Sequence, residues 1–73
     1  MTSAWNVRGI LGNAGDELRL EMVATREHHG RTETTADVIS VLHAAEARAE
    51  CAHFAQMLGA ETYTLEDRRA VAA

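Results

Sequence analysis

Four side chains in the second half of the chain have the chemistry and spacing of a ligand set. They are His43, Glu46, Glu50 and His53, separated by three, four and three positions. On an α-helix, these spacings put all four side chains on one sector of the surface, spread over about 15 Å along the axis. Because imidazole and carboxylate groups bind transition metals, this sector is a candidate metal site.

The pair Glu50-x-x-His53 matches the Glu-x-x-His element of carboxylate-bridged di-iron helix bundles. Such a site needs further carboxylates from other helices, and no second segment of the chain repeats the pattern. Only a homodimer could supply them. The simpler interpretation is a solvated helix face on which these side chains meet water. We therefore predict no cofactor, and a metal-binding homodimer using this face is the second alternative for the function.

Two other patterns suggest chemistry but are better explained by structure. Gly9, Gly12 and Gly15 match neither the dinucleotide fingerprint nor the P-loop, which needs a lysine that the chain lacks. We predict that these glycines serve turns and positive φ angles. Cys51 falls on a different side of the helix from the histidines, which predicts a small buried side chain rather than a nucleophile. Without a catalytic triad or zinc spacing in the sequence, we predict that the protein is not an enzyme.

The element that must position these side chains is a long alanine-rich helix, predicted from residue 36 to residue 58. Thr34-Thr35-Ala36-Asp37 has the residues of a capping box, and Gly59 follows the last apolar residue. At about 100° per residue, the helix carries two apolar stripes. The first consists of Val38, Val41, Leu42, Ala45, Ala49 and Ala52, and the second consists of Ala47, Cys51, Phe54 and Leu58.

A helix with two apolar faces must be covered twice. One cover is expected to be the domain's own sheet and the other a second subunit, so a homodimer is predicted. We assign the dimer interface to the second stripe, which consists of Ala47, Cys51, Phe54 and Leu58.

Residues 17–26 indicate the fold class. Leu18, Leu20, Met22 and Ala24 alternate with mostly polar residues, which is the period of a β-strand. A helix over residues 16–29 remains the competing interpretation. The other predicted elements are a strand over 5–11, turns over 12–16 and 28–30, a brief strand over 31–34, a strand over 61–65 and a short helix over 65–72.

These elements predict an α+β fold in the order β-β-(β)-α-β, with a small antiparallel sheet packed against the long helix. An all-α arrangement of three helices is the alternative. Seventy-three residues form one domain, residues 1–73, with a thin core. A lone cysteine, the absence of an apolar run of about 18 residues and a start unlike a signal peptide predict a cytoplasmic protein without a membrane association.

The charge pattern points to a protein partner. The net charge is −4, and the stretch from Asp37 to Asp67 alone carries −5, with six acidic residues against one arginine. A surface that binds phosphates needs the opposite sign, so direct binding of nucleic acid is disfavoured. We predict a partner with a basic surface. The residues assigned to its binding are Asp37, Glu46, Glu50 and Glu61.

The resulting prediction is a small, non-catalytic, acidic binding protein that acts as an inhibitor or adaptor. Its acidic helix face would meet a basic or nucleic-acid-binding partner, because charge complementarity steers association. Compact acidic domains occur among phage-encoded inhibitors, anti-CRISPR proteins included, and the analogy is one of size and charge. The first alternative is a self-assembling structural module that dimerises through the second apolar stripe.

Overall fold

The computed structural model describes residues 4–69. Four strands and one helix follow one another along the chain, which confirms the α+β class and excludes the all-α alternative. The elements are β1 (Asn6–Ala14), β2 (Glu17–His28), β3 (Arg31–Val41), α1 (Ala44–Met57) and β4 (Tyr63–Asp67).

Two tight hairpins join the first three strands. Gly15, with φ of 65°, opens the two-residue loop between β1 and β2. The loop between β2 and β3 consists of His29 and Gly30, whose φ angles of 51° and 76° are both positive, as a type I′ turn requires. Because this turn twists in the same sense as paired strands, β2 and β3 stay in register along their whole length.

The sheet has the order β3-β2-β1-β4 and is mixed rather than antiparallel throughout. β1, β2 and β3 pair antiparallel, whereas β4 returns through α1 and pairs parallel to β1, with Val7 opposite Tyr63 and Leu11 opposite Asp67. A parallel pair needs such a crossover, and the helix provides it. α1 consequently lies across one face of the sheet, mainly over β1 and β4.

The core lies between this sheet face and the helix. The predicted alternation in β2 is confirmed, because Leu20, Met22 and Ala24 are buried at 0–2% exposure while Arg19 and Glu21 face solvent. Burying a leucine side chain fully contributes about 1.5–3 kcal/mol, so these positions anchor the strand. The buried hydrophobic residues are Val7, Leu11, Leu20, Met22, Ala24, Val41, Ala47, Cys51 and Ala55.

The helix begins eight residues later than predicted. Residues 36–41 belong to β3, where Val38, Ile39 and Val41 continue the pairing with β2. β-branched side chains favour a strand over a helix, and β2 provides the neighbouring strand with which these residues pair. The prediction that Thr34-Thr35-Ala36-Asp37 caps a helix is therefore wrong.

The helix also presents the opposite face to the sheet from the one that its alanines suggested. Ala45, Ala49 and Ala52 are exposed, whereas Ala47 and Cys51 are completely buried. Larger side chains gain more from burial, so the side bearing cysteine and phenylalanine covers the sheet. The residues predicted to form a dimer interface (Ala47, Cys51, Phe54 and Leu58) are thus part of the core of the single chain.

Gly9 explains how closely the helix approaches the sheet. A Cβ atom at this position would overlap the Sγ atom of Cys51 and lie 3.0 Å from Cδ1 of Leu65. Its φ angle is not positive, so the prediction of a turn role is wrong for Gly9, as it is for Gly12, and is confirmed only for Gly15.

The end of the chain also differs from the prediction. β4 occupies residues 63–67 rather than 61–65, and the backbone amide of Arg68 donates to the carbonyl of Leu11, 2.7 Å away, which extends the pairing with β1. Residues 65–69 are therefore not helical. Residues 70–72 of the predicted terminal helix lie outside the described residues.

Candidate protein-binding surface

The start of α1 is held by a reciprocal pair of hydrogen bonds. His43 is the N-cap residue, and its Nδ1 accepts from the backbone amide of Glu46 at 3.2 Å. The carboxylate of Glu46 reaches back and accepts from the backbone amide of Leu42 at 2.8 Å. Both amides would otherwise lack a partner, so these two predicted metal ligands are already engaged in capping the helix.

The acidic side of α1 is turned away from β4. On the other side of the helix, Ala52, Ala55 and Gln56 line a cleft of about 290 Å³ together with Tyr63 of β4. Helical periodicity puts Glu46, Glu50 and Met57 roughly opposite this cleft. The carboxylates of the helix therefore lie on its β3 side rather than on its β4 side.

Asp37 lies on β3, at that same side of the sheet. It pairs with Met22, whose side chain is buried beneath the helix, so both residues belong to the helix-bearing face of the sheet. Opposite residues of an antiparallel pair share a face. We call Asp37, Glu46 and Glu50 the acidic flank. Glu61 follows the helix and lines the cleft on the β4 side, so it is separated from the other three predicted binding residues.

The acidic flank differs in its neighbours from the three acidic residues that pair with arginine. Glu33, Glu66 and Asp67 each form an ion pair with an arginine at 2.5–2.9 Å. Among residues 4–69, no arginine lies within 4 Å of the carboxylates of the acidic flank or of Glu61. The negative charge predicted from the sequence is therefore neutralised at the end of β4 and left uncompensated beside the helix.

Two exposed apolar side chains bracket the acidic flank. Leu42, just before the helix, is 85% exposed, and Met57, its last residue, is 74% exposed. A helix of this length separates its ends by about 20 Å. Leu42 belongs to the first apolar stripe of the predicted helix, whereas Met57 belongs to neither stripe. A helical projection beginning at residue 44 would have put Met57 on the side of Glu46 and Glu50.

The side chains that could bind a metal or act as a nucleophile are separated from one another or buried. Within residues 4–69, no three His, Cys, Asp or Glu side chains are close enough together to hold a metal ion. Burial, followed by the neighbouring negative charge of Glu50, raises the pKa of Cys51. Because the thiolate is the nucleophilic form, the buried thiol is held in its unreactive state.

Among residues 4–69, no helix is long and apolar enough to cross a membrane. Comparisons of the chain with protein-family models, curated proteins and solved structures found no match.

Proposed function

We propose that the protein is a non-catalytic acidic binding protein whose partner carries a basic surface. The observation that supports this most directly is that, among residues 4–69, no arginine forms an ion pair with a carboxylate of the acidic flank, whereas arginines neutralise Glu33, Glu66 and Asp67. Unpaired surface carboxylates raise the rate of encounter with a positively charged protein. An inhibitor or adaptor of phage type, anti-CRISPR proteins included, would use such a surface to occupy the nucleic-acid site of its target.

The exposed apolar side chains give the proposal a defined footprint. Charges at an interface mainly steer and orient the partner, whereas desolvated apolar side chains hold it. Leu42 and Met57 lie at the two ends of the acidic flank and expose most of their surface. The expected partner therefore has a basic strip about 20 Å long with an apolar recess at each end.

The charge can be tested with a matched pair of substitutions. Glu50→Arg reverses one charge within the acidic flank, and Glu21→Arg makes the same change on the outer face of the sheet. Glu50 is chosen over Glu46 because the carboxylate of Glu46 also caps the helix. Binding is measured by calorimetric titration of the 73-residue chain with an arginine-rich peptide and with a DNA-binding protein that has a basic cleft.

We expect Glu50→Arg to weaken binding at least about tenfold and to flatten its salt dependence, while Glu21→Arg has little effect. Equal losses in the two variants would contradict a localised surface, because the interaction would then depend on net charge alone. Met57→Ser tests the apolar part. It should increase the dissociation rate more than it lowers the association rate.

A further inference from the structure

The long outer edge of the sheet is unpaired. β3 is the first strand in the order β3-β2-β1-β4, and within residues 4–69 no strand lies on its other side. All eleven of its residues pair with β2 in an unbroken register, from Leu18 opposite Val41 to His28 opposite Arg31. No bulge bends this edge away from a neighbour, although natural edge strands commonly use one for that purpose.

The hairpin geometry identifies the backbone groups that point outward. In a two-residue hairpin, the pair that closes the loop exchanges both of its hydrogen bonds, and bonded and non-bonded pairs then alternate along the strands. His28 and Arg31 close this loop, so the odd-numbered residues of β3 bond to β2. The residues with outward amide and carbonyl groups are Thr32, Thr34, Ala36, Val38 and Ser40.

One hydrogen bond agrees with this assignment. The backbone amide of Val38 donates to the side chain of Asp37, 3.0 Å away, instead of to a neighbouring strand. All five outward residues are exposed, and all are small or β-branched and uncharged. Residues 31–41 contain neither the lysine nor the proline with which proteins block pairing at an edge.

We propose that β3 pairs with β3 of a second copy of this chain, antiparallel about a twofold axis that passes through Ala36. The two sheets then form one continuous eight-stranded sheet, with both helices on the same face. Outward residues meet outward residues in this register, Thr34 opposite Val38 of the second copy and Thr32 opposite Ser40 of the second copy. Pairing of all eleven residues forms about ten backbone hydrogen bonds.

The charges on β3 favour this register over its two neighbours. With Ala36 on the axis, Glu33 faces Ile39 of the second copy and Asp37 faces Thr35 of the second copy, so no like charges are opposed. A shift that puts Thr35 on the axis places Glu33 against Asp37 of the second copy, twice. A shift that puts Asp37 on the axis opposes two aspartates. Like charges directly opposite each other destabilise strand pairing, so both neighbouring registers are disfavoured.

The test substitutes the residue on the axis. In Ala36→Pro, the lost amide is one that points away from β2, and a proline is accepted at such a position of an edge strand, so the monomer should keep its fold. Ala36→Lys opposes two positive charges across the axis, and Ala36→Ser keeps both the amide and a small side chain. Sedimentation equilibrium over a range of concentrations measures the mass, and circular dichroism checks the fold of each variant.

We expect the unsubstituted chain and Ala36→Ser to form dimers. Ala36→Pro and Ala36→Lys should each raise the dimer dissociation constant by at least about 100-fold. The first variant loses the two central hydrogen bonds, and the second opposes two positive charges across the axis. A chain that stays monomeric at millimolar concentration would overturn the proposal. So would a dimer that Ala36→Pro leaves intact, because another surface would then form the contact.

Amide hydrogen exchange gives a second readout that requires no substitution. In a β3-paired dimer, the amides of the even-numbered residues from Thr32 to Ser40 become protected as the concentration rises, while those of the odd-numbered residues are protected at every concentration. Concentration-independent exchange at the even-numbered positions would also overturn the proposal.

Discussion

The part of the sheet beneath the helix and the projecting end of the β2–β3 hairpin are stabilised in different ways. β1, β4 and the covered part of β2 lie beneath the helix, where Val7, Leu11 and Leu20 are buried at 0–5% exposure. β2 and β3 extend past the start of β1 at Asn6, which faces Thr25, so the end of this hairpin has two strands and no helix above it. The chain is accordingly 46 Å long and about 19 Å wide.

Polar contacts hold the projecting end of the hairpin. Arg26 forms an ion pair with Glu33 at 2.7 Å, and its guanidinium lies 4.5 Å from the ring centroid of Trp5. Thr32 donates to Glu27 across the strands at 2.7 Å. Such cross-strand pairs contribute only about 0.2–1 kcal/mol each. The part of the sheet beneath the helix, including Leu20 and Met22 of β2, is thus fixed by apolar packing, whereas the projecting end of the hairpin depends on polar contacts.

The largest expected effect lies beneath the helix. Gly9→Ala should lower the free energy of unfolding by about 1–3 kcal/mol, because its methyl group would overlap Sγ of Cys51 in a filled core. Urea unfolding measures the change. Gly12→Ala is the matched control on the same strand, since a Cβ there meets no atom within 4 Å, and it should change stability by less than about 0.5 kcal/mol.

A double-mutant cycle sharpens this prediction. Cys51→Ala removes the sulfur that the new methyl group would meet, so the two substitutions together should cost about 1 kcal/mol less than the sum of the single losses. Additive losses would show that another contact makes Gly9 necessary, the Cδ1 atom of Leu65 being the next closest at 3.0 Å.

A smaller effect is expected at the tip of the hairpin. His29 adopts a φ of 51°, which disfavours most side chains but suits asparagine. His29→Asn should raise the free energy of unfolding by about 0.5 kcal/mol, measured by thermal or urea unfolding. Gly30→Ala, at a φ of 76°, should lower it instead. A loss of stability in His29→Asn would mean that the contact between the His28 and His29 rings, 4.1 Å apart, contributes more than the turn.

The smallest effect concerns the ionised groups at the end of β4. Hydrogen bonds from the side chain and the backbone of Arg69 lower the pKa of Asp67 to about 2. Because the pKa is depressed in the folded state, the resulting stabilisation is present above the unfolded pKa of about 3.9 and is lost as the pH falls through about 2. Both groups are exposed, so the change in stability should be slight.

Titration of the Asp67 carboxyl group by NMR measures this shift. Arg69→Gln should return the pKa of Asp67 toward its ordinary value, whereas Arg68→Gln, which removes an ion pair of Glu66, should leave it in place. An unchanged pKa of Asp67 in Arg69→Gln would contradict the assigned cause.

The sequence determined the elements whose side chains repeat with a clear local period. Alternation along residues 17–26 identified β2 and its buried side, and the glycine and histidine residues located both turns. The excess of acidic residues after residue 36 predicted an uncompensated charge near the helix. All of these features depend on residues that are close together in the chain, so local spacing is sufficient to find them.

Tertiary structure decided where β3 gives way to the helix and which apolar stripe of the helix is buried. The sequence of residues 36–41 is compatible with either a strand or a helix. The pairing of Val38 and Ile39 with β2, about twenty residues earlier in the chain, makes this segment a strand. The helix turns Cys51 inward because Gly9 of a distant strand leaves space for its sulfur. Local periodicity shows which side chains share a face, but only long-range contacts determine what covers that face.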